Sequence, residues 1–209
     1  MTVTEGASTV CTATVSVGGA WSCTPAVPLS DGPHTVTATQ ADEAGNVSPA
    51  SAPVSFTVDT TAPAAPVISG PADGSTTTDS TPTISGTGEP GATVTVTEGA
   101  STVCTATVSV GGAWSCTPAV PLAEGPHTVT ATQADEAGNV SPASAPVSFT
   151  VDATAPAAPV ISGPADGSTT SDSTPMVSGT GEPGASVTVT EGASTVCTAT
   201  VSVGGAWSC

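Results

Sequence analysis

The 209-residue sequence predicts an all-β chain of repeated small sandwiches, and three observations predict it. The first is composition. The chain is biased to Thr, Ser, Val, Gly and Pro, with 23 Gly and 20 Pro, and contains no Lys, Arg or Tyr. β-Branched residues suit pleated, half-buried strands, while Gly and Pro mark turns, so helices are disfavoured throughout. The second is an internal repeat: Glu5, Glu98 and Glu191 stand 93 residues apart, as do Trp21, Trp114 and Trp207. The third is alternation. "ATVTVT" and "HTVTATQ" place Val and Ala on one face and Thr on the other, which is the period of a half-buried strand.

The repeat boundary lies at "VDTTAPAAPV" (Val58–Val67), echoed by "VDATAPAAPV" (Val151–Val160). Two prolines three positions apart favour an extended, semi-rigid connector. Residues 61–153 are then one complete repeat. Residues 1–60 are a partial repeat without its first strands, and residues 154–209 a partial repeat without its last ones. The chain is therefore expected to be a segment of a longer array. Residues 24–116 and 117–209 differ at seven positions only: Ser30/Ala123, Asp31/Glu124, Thr60/Ala153, Thr78/Ser171, Thr83/Met176, Ile84/Val177 and Thr93/Ser186. Copies this alike point to selection on, or recent duplication of, whole units rather than to one unique site.

Seven strands are expected in the complete repeat. Ala65–Ser69 follows the proline connector and ends at the turn-rich "PADGSTTTDS". Thr81–Gly86 runs from there to "GEPG". Ala92–Thr97 carries the alternation and stops at "EGAS", after which Thr102–Val108 runs to Gly111-Gly112. Trp114–Leu122 ends at "AEGP". His127–Gln133 ends at "DEAGN", and Ala145–Asp152 closes the repeat. Seven short strands in about 93 residues, with turns every 8 to 12, form the pattern of an immunoglobulin-like sandwich, the alternative being a barrel.

Seventeen acidic side chains with nothing basic give a formal charge of −17. That excludes nucleic-acid binding, which needs Lys and Arg on phosphates, and anionic membranes repel the chain for the same reason. No apolar run is long enough for membrane insertion, and the N-terminus shows neither a basic n-region nor an apolar h-region. The absence of Lys and Arg also removes every trypsin site, which suits a protein exposed outside the cell.

Six cysteines form three pairs, Cys11 and Cys23, Cys104 and Cys116, Cys197 and Cys209, one pair per repeat. The spacing does not match a zinc ribbon, and a reactive thiolate lacks a basic partner. Structural disulfides are expected, with buried free thiols as the alternative. Disulfides imply an oxidising, extracytoplasmic compartment. A two-residue hairpin turn at Gly111-Gly112 would set Cys116 opposite Thr107, so a wider loop near Val108–Gly112 is expected to bring Cys104 opposite Cys116. Trp114 and Cys116 share parity and should both point inward.

"SGTGEPGATVTV" (Ser85–Val96), "GAWSCTPAVPL", "DGPHTVTATQADEAGNVSPAS" (Asp31–Ser51) and "FTVDTTAP" (Phe56–Pro63) resemble the bacterial Ig-like repeats of large secreted adhesins and biofilm-associated surface proteins. The resemblance covers nearly the whole chain. It implies a rod of sandwiches at the bacterial cell surface that holds an adhesive tip away from the cell, often stiffened by calcium between domains. Its neighbours in the parent chain would be further repeats.

Topology gives that calcium a place. Loops after the second, fourth and sixth strands lie at the pole facing the preceding domain. This gathers Glu89, Asp135, Glu136 and Asn139 opposite Asp59, an oxygen set suited to Ca²⁺; the resemblance makes Asp59 and Asp135 the inter-domain ligands. The next junction offers Asp152 and Glu182 and is expected to be incomplete. Asp73, Asp79, Glu98 and Glu124 gather at the opposite pole. For every one of these carboxylates a solvated turn residue is the plain alternative. His34 and His127 read as packed or edge residues, and Asn46 and Asn139 in "NVSP" as turn residues rather than glycosylation sites. No catalytic constellation appears, and recurring turns do not make a unique active site. The reading is a non-catalytic extracellular stalk module. Its alternatives are a glycan- or host-surface-binding module and a spacer beside a secreted enzyme. The two partial repeats have complementary phases, so strand exchange between copies is a further expectation.

Overall fold

The computed structural model describes all 209 residues, in strands, turns and loops, and divides into two compact units, Met1–Asp152 and Ala153–Cys209. In the first unit, residues 1–60 form one antiparallel sheet of β1 (Thr2–Glu5), β2 (Ser8–Thr12), β3 (Gly32–Thr39) and β4 (Val54–Val58), in the order β2-β1-β3-β4.

The complete repeat follows with β5 (Val67–Gly70), β6 (Ser75–Thr77), β7 (Ile84–Thr87), β8 (Thr93–Glu98), β9 (Ser101–Thr107), β10 (Ala113–Cys116), β11 (Gly125–Ala134) and β12 (Val147–Val151). They make two sheets, β10-β7-β5 and β6-β12-β11-β8-β9. One core fills the space between them. Ile68, Ile84 and Trp114 enter it from the smaller sheet, and Val94, Val96, Val129, Ala131, Phe149 and Val151 from the larger. Alternation selects these residues: on β11, His127, Val129, Ala131 and Gln133 are buried while Thr128 is exposed. Burying a side chain such as Ile84 or Phe149 contributes roughly 1.5–3 kcal/mol. The fold is thus the all-β sandwich that the strand pattern implies.

Three details differ from the expectation. An eighth strand, β6, lies inside "PADGSTTTDS" and pairs in parallel with β12, Phe149 opposite Ser75 and Val151 opposite Thr77. Its polar composition hides it, because an edge strand needs backbone pairing and little apolar surface. The fifth expected strand stops at Cys116 rather than Leu122, since Pro118 and Pro121 offer no N–H to a ladder. Finally, β9 and β10 are not hairpin partners. Val108 N–H donates to the Ala92 carbonyl, and the chain then crosses from the five-stranded sheet to β7 of the other.

Gly86 shows how closely the small sheet packs. A Cβ there would collide with the Val67 carbonyl on one side and approach Trp114 to 2.8 Å on the other. Only a residue without a side chain fits between β5 and the indole.

Residues 1–60 contain no counterparts of Ile68 and Ile84, and the face those residues cover elsewhere lies open. Phe56 is 41% exposed, against 2% for Phe149, and Trp21 is 41% exposed, against 4% for Trp114. In the second unit, β13 (Val160–Gly163), β14 (Ser178–Thr180) and β17 (Ala206–Ser208) form one sheet, and β15 (Ser186–Glu191) pairs with β16 (Ser194–Thr200). Val187, Val201 and Trp207 make its small core.

Candidate functional site

The loop "DEAGN" closes on itself before it meets anything else. Asn139 N–H donates to Asp135 Oδ1 at 2.8 Å, and its side-chain Nδ2 donates to Asp135 Oδ2 at 2.9 Å. The Asn139 amide, with the backbone N–H groups of Asn139, Gly138 and Ala137 behind it, holds the Asp135 carboxyl below the usual carboxylate value. Asn46 and Asp42 repeat the two Asn-to-Asp bonds in residues 1–60, both at 2.8 Å.

In the complete repeat the same Nδ2 also reaches the connector, donating to the Asp59 carbonyl at 3.0 Å. A second amide joins it. Gln133 lies on the inward face of β11, only 2% exposed, and donates Nε2–H to the Ala64 carbonyl at 2.8 Å. Its Oε1 accepts from Glu89 N–H at 3.0 Å. Gly88 makes the slot: a Cβ there would collide with Gln133 Oε1 and come within 3.1 Å of Val108. On the other side of the connector, Asp31 accepts from Thr60 N–H and Oγ1 at 3.1 and 2.7 Å, and from Thr61 Oγ1 at 2.7 Å. The two hydroxyls are the main reason its carboxyl is held low. Asp59 Oδ1 takes Thr61 N–H at 3.0 Å. Residues 59–64 are therefore gripped from residues 1–60 by Asp31 and from the complete repeat by Asn139 and Gln133.

Of the residues assigned to calcium from sequence, Asp135, Asn139 and the Asp59 backbone do meet. Glu89 and Glu136 are exposed, and Glu89 takes part through its N–H, not its carboxylate. No three His, Cys, Asp or Glu side chains anywhere approach closely enough to hold a metal ion. Both Asp135 oxygens and the Asp59 carbonyl already face N–H donors. Ca²⁺ takes six to eight oxygens, so this donor-filled arrangement does not fit it. Asp152 N–H donates to the Thr77 carbonyl, and Glu182 lies exposed in the turn before β15. At the other pole the acids have separate partners. Asp73 accepts from Ser148 N–H, Asp79 from Thr81, and Glu98 faces His127.

Sequence reading missed Gln133 and the histidine pairing. The signal for Gln133 was parity: in "HTVTATQ" it shares a face with Val129 and Ala131, so a buried amide in need of partners was implied. His34 and His127 are buried, as expected for packed residues, and each faces a carboxylate: His34 Nδ1 lies 3.0 Å from Glu5 and His127 Nδ1 3.0 Å from Glu98.

All six cysteines are paired, Cys11–Cys23, Cys104–Cys116 and Cys197–Cys209, each with Cα atoms 5.9 Å apart. Because β9 and β10 lie in different sheets, Cys104–Cys116 clamps the two layers together along one side. It is not the cross-strand staple within one sheet that a widened hairpin would have given. Trp114 points inward as parity required, and Cys116 packs half-buried against the same core.

No protein with a curated description matches the chain. Among solved structures it is similar to a tetra-tandem repeat in the extending region of a large adhesion protein, at 28% identity and TM-score 0.37, covering 100% of this chain and 56% of that one. The chain thus spans little more than half of that structure. It is also similar to the BSP domain of a biofilm associated protein, at 24% identity and TM-score 0.36, covering 74% of this chain and 25% of that one. A third is a Bacteroides ovatus protein of a mixed-linkage glucan utilization locus in complex with a heptasaccharide, at 19% identity and TM-score 0.27, covering 77% and 40%. The family described as bacterial Ig-like domain matches residues 1–60 and 64–153. With most of its length so matched, its paired sheets and its recurring motifs, the chain belongs to the bacterial Ig-like domain family.

Proposed function

We propose that the chain is a length-setting, non-catalytic segment of an extracellular bacterial stalk, in which Ig-like repeats are joined stiffly end to end. The observation that carries this reading is the gripped connector. Asn139 and Gln133 fix the Asp59 and Ala64 carbonyls, while Asp31 takes the Thr60 and Thr61 hydroxyls. A flexible linker leaves its backbone to water. This one spends its carbonyls on side chains of the next repeat. Three disulfides support an oxidising location outside the cytoplasm, and the sequence motifs support an adhesin or biofilm parent. The rival, a glycan-binding module, usually presents exposed aromatic platforms. Here Trp114 and Phe149 are core, and their counterparts Trp21 and Phe56 are bared only where the covering strands are lacking. The test is the distribution of distances between repeats in the intact chain and in the Gln133→Ala, Asn139→Ala double variant. A narrow distribution that broadens in the variant supports the stalk. Equal, broad distributions contradict it.

The open face beneath Phe56 supports one further interaction. As an isolated 209-residue species, the chain is read as able to exchange strands between copies, with residues 154–209 of one supplying what Ile68 and Ile84 supply in the complete repeat. Light scattering across a concentration series should then show dimers, and a concentration-independent monomer would dispose of the idea.

A further inference from the structure

His127 has an acceptor at each ring nitrogen. Nδ1 lies 3.0 and 3.2 Å from the two Glu98 carboxylate oxygens, and Nε2 lies 2.8 Å from the Ala123 carbonyl. Neither partner has a hydrogen to give, since a carbonyl never donates and an ionised carboxylate only accepts. A neutral imidazole carries one N–H, so one nitrogen would face an oxygen lone pair to lone pair in a site only 8% exposed. The imidazolium alone satisfies both.

The arrangement recurs in full in residues 1–60. His34 Nδ1 lies 3.0 Å from both Glu5 oxygens, and Nε2 lies 2.7 Å from the Ser30 carbonyl. The Ser30/Ala123 difference leaves it intact because the backbone oxygen does the accepting. Each ring also lies against the phenylalanine of the neighbouring strand, His34 on Phe56 and His127 on Phe149, with centroids 5.7 and 5.8 Å apart. In a chain without Lys or Arg these are the only side chains that can carry positive charge, and they make its two side-chain ion pairs.

We propose that His127 and His34 are proton-operated latches: the imidazolium binds the end of β8 or β1 to the loop before β11 or β3, and deprotonation releases one of the two. The elements packed on His127 offer it Glu98 from β8, the Ala123 carbonyl from the loop, with Glu124 next in that loop, and Phe149 from β12. Glu98 is thus the titratable group facing the ring. Beside His34, Glu5 is the only other titratable residue lining the open pocket between β2 and the Ala26–Ser30 loop. That pocket gives water and protons a route to the pair. The Ala123 carbonyl, with the Glu98 carboxylate, raises the proton affinity of His127 against the burial that lowers it, and the Ser30 carbonyl and Glu5 do the same for His34. A folded-state pKa above the ordinary 6.5 stabilises the repeat fully below pH 6.5 and loses that contribution as pH rises through the folded value. Repeats of this kind are held hardest in mildly acidic surroundings and loosen as the medium turns alkaline.

The test is a side-chain ¹⁵N NMR titration of the intact chain, with His34→Gln used only to assign the two rings. Expected are doubly protonated patterns for both rings at pH 6 and titration midpoints above 6.5, with the His127 midpoint falling in Glu98→Gln. Midpoints at or below 6.5, or one bare nitrogen per ring at pH 6, overturn the proposal. Thermal melts give a second readout. The wild-type Tm should fall between pH 6 and pH 9, and a His34→Phe, His127→Phe variant should lose that slope. A slope of equal size in that variant also overturns it.

Discussion

Asn139 binds two oxygen acceptors of different kinds with one amide: the Asp135 side chain within its own loop, and the Asp59 carbonyl 80 residues earlier. The first bond shapes the loop, and the second ties that shaped loop to the connector. Gln133 repeats the logic one strand-end away, holding Ala64 while its own oxygen is held by Glu89 N–H. Loop geometry and inter-repeat geometry are therefore not separable.

Removing the Gln133 amide should leave the Glu89 N–H and the Ala64 carbonyl without protein partners. Gln133→Ala is expected to cost about 1–2 kcal/mol, since it removes two hydrogen bonds made by a buried side chain, while the exposed Glu89 and Ala64 backbones can turn to water. Urea unfolding followed by Trp fluorescence measures it. Gln133→Glu should cost at least as much, because it replaces the N–H₂ donor to Ala64 with an acceptor.

Reduction of Cys104–Cys116 should lower stability by about 3 kcal/mol on the chain-entropy model for a loop of this size. As the bond joins two sheets, its loss should also raise hydrogen exchange along β9 and β10 more than along β11. Calorimetry with and without reductant, paired with exchange mapping, checks both.

Gly86→Ala places a methyl against the Val67 backbone and the Trp114 ring. Neither can withdraw, so the loss should reach about 3 kcal/mol or more, at the upper end for overpacked cores. A Gly86→Ala chain whose Tm matches the wild type would show that the small sheet is looser than described.

How much of this was legible in the sequence depends on the range of the cause. The Val and Thr alternation of β8 and β11 is local, and it placed Val94, Val96, Val129 and Ala131 in the core correctly. Cysteine pairing was legible from spacing alone. Where the pair sits was not, because whether β9 turns back on itself or crosses to the other sheet depends on β7 being free to receive β10. β6 was hidden for a similar reason: Ser75–Thr77 has no pattern of its own and is a strand only because β12 offers an edge. At the junction, the sequence singled out Asp59, Asp135 and Asn139 for their oxygens, but not the N–H groups from which those oxygens accept.

Acid should act on the same junction. The Asp31 and Asp135 carboxyls are both held below the ordinary 3.8, so their stabilising contribution is complete above 3.8 and is lost as pH falls through the lower folded values. Melts between pH 5 and pH 2 should show a drop that Asp31→Asn and Asp135→Asn each reduce. An unchanged drop in both variants would place the acid sensitivity elsewhere.

The most direct measurement is of residual dipolar couplings for residues 1–60 and 61–152 in weakly aligned, calcium-free solution, repeated with calcium. A junction held by Asn139, Gln133 and Asp31 requires both segments to fit one alignment tensor without calcium, with no change on its addition. Two tensors of different magnitude that merge only when calcium is added would contradict the amide-held joint, and with it the stiff stalk as described.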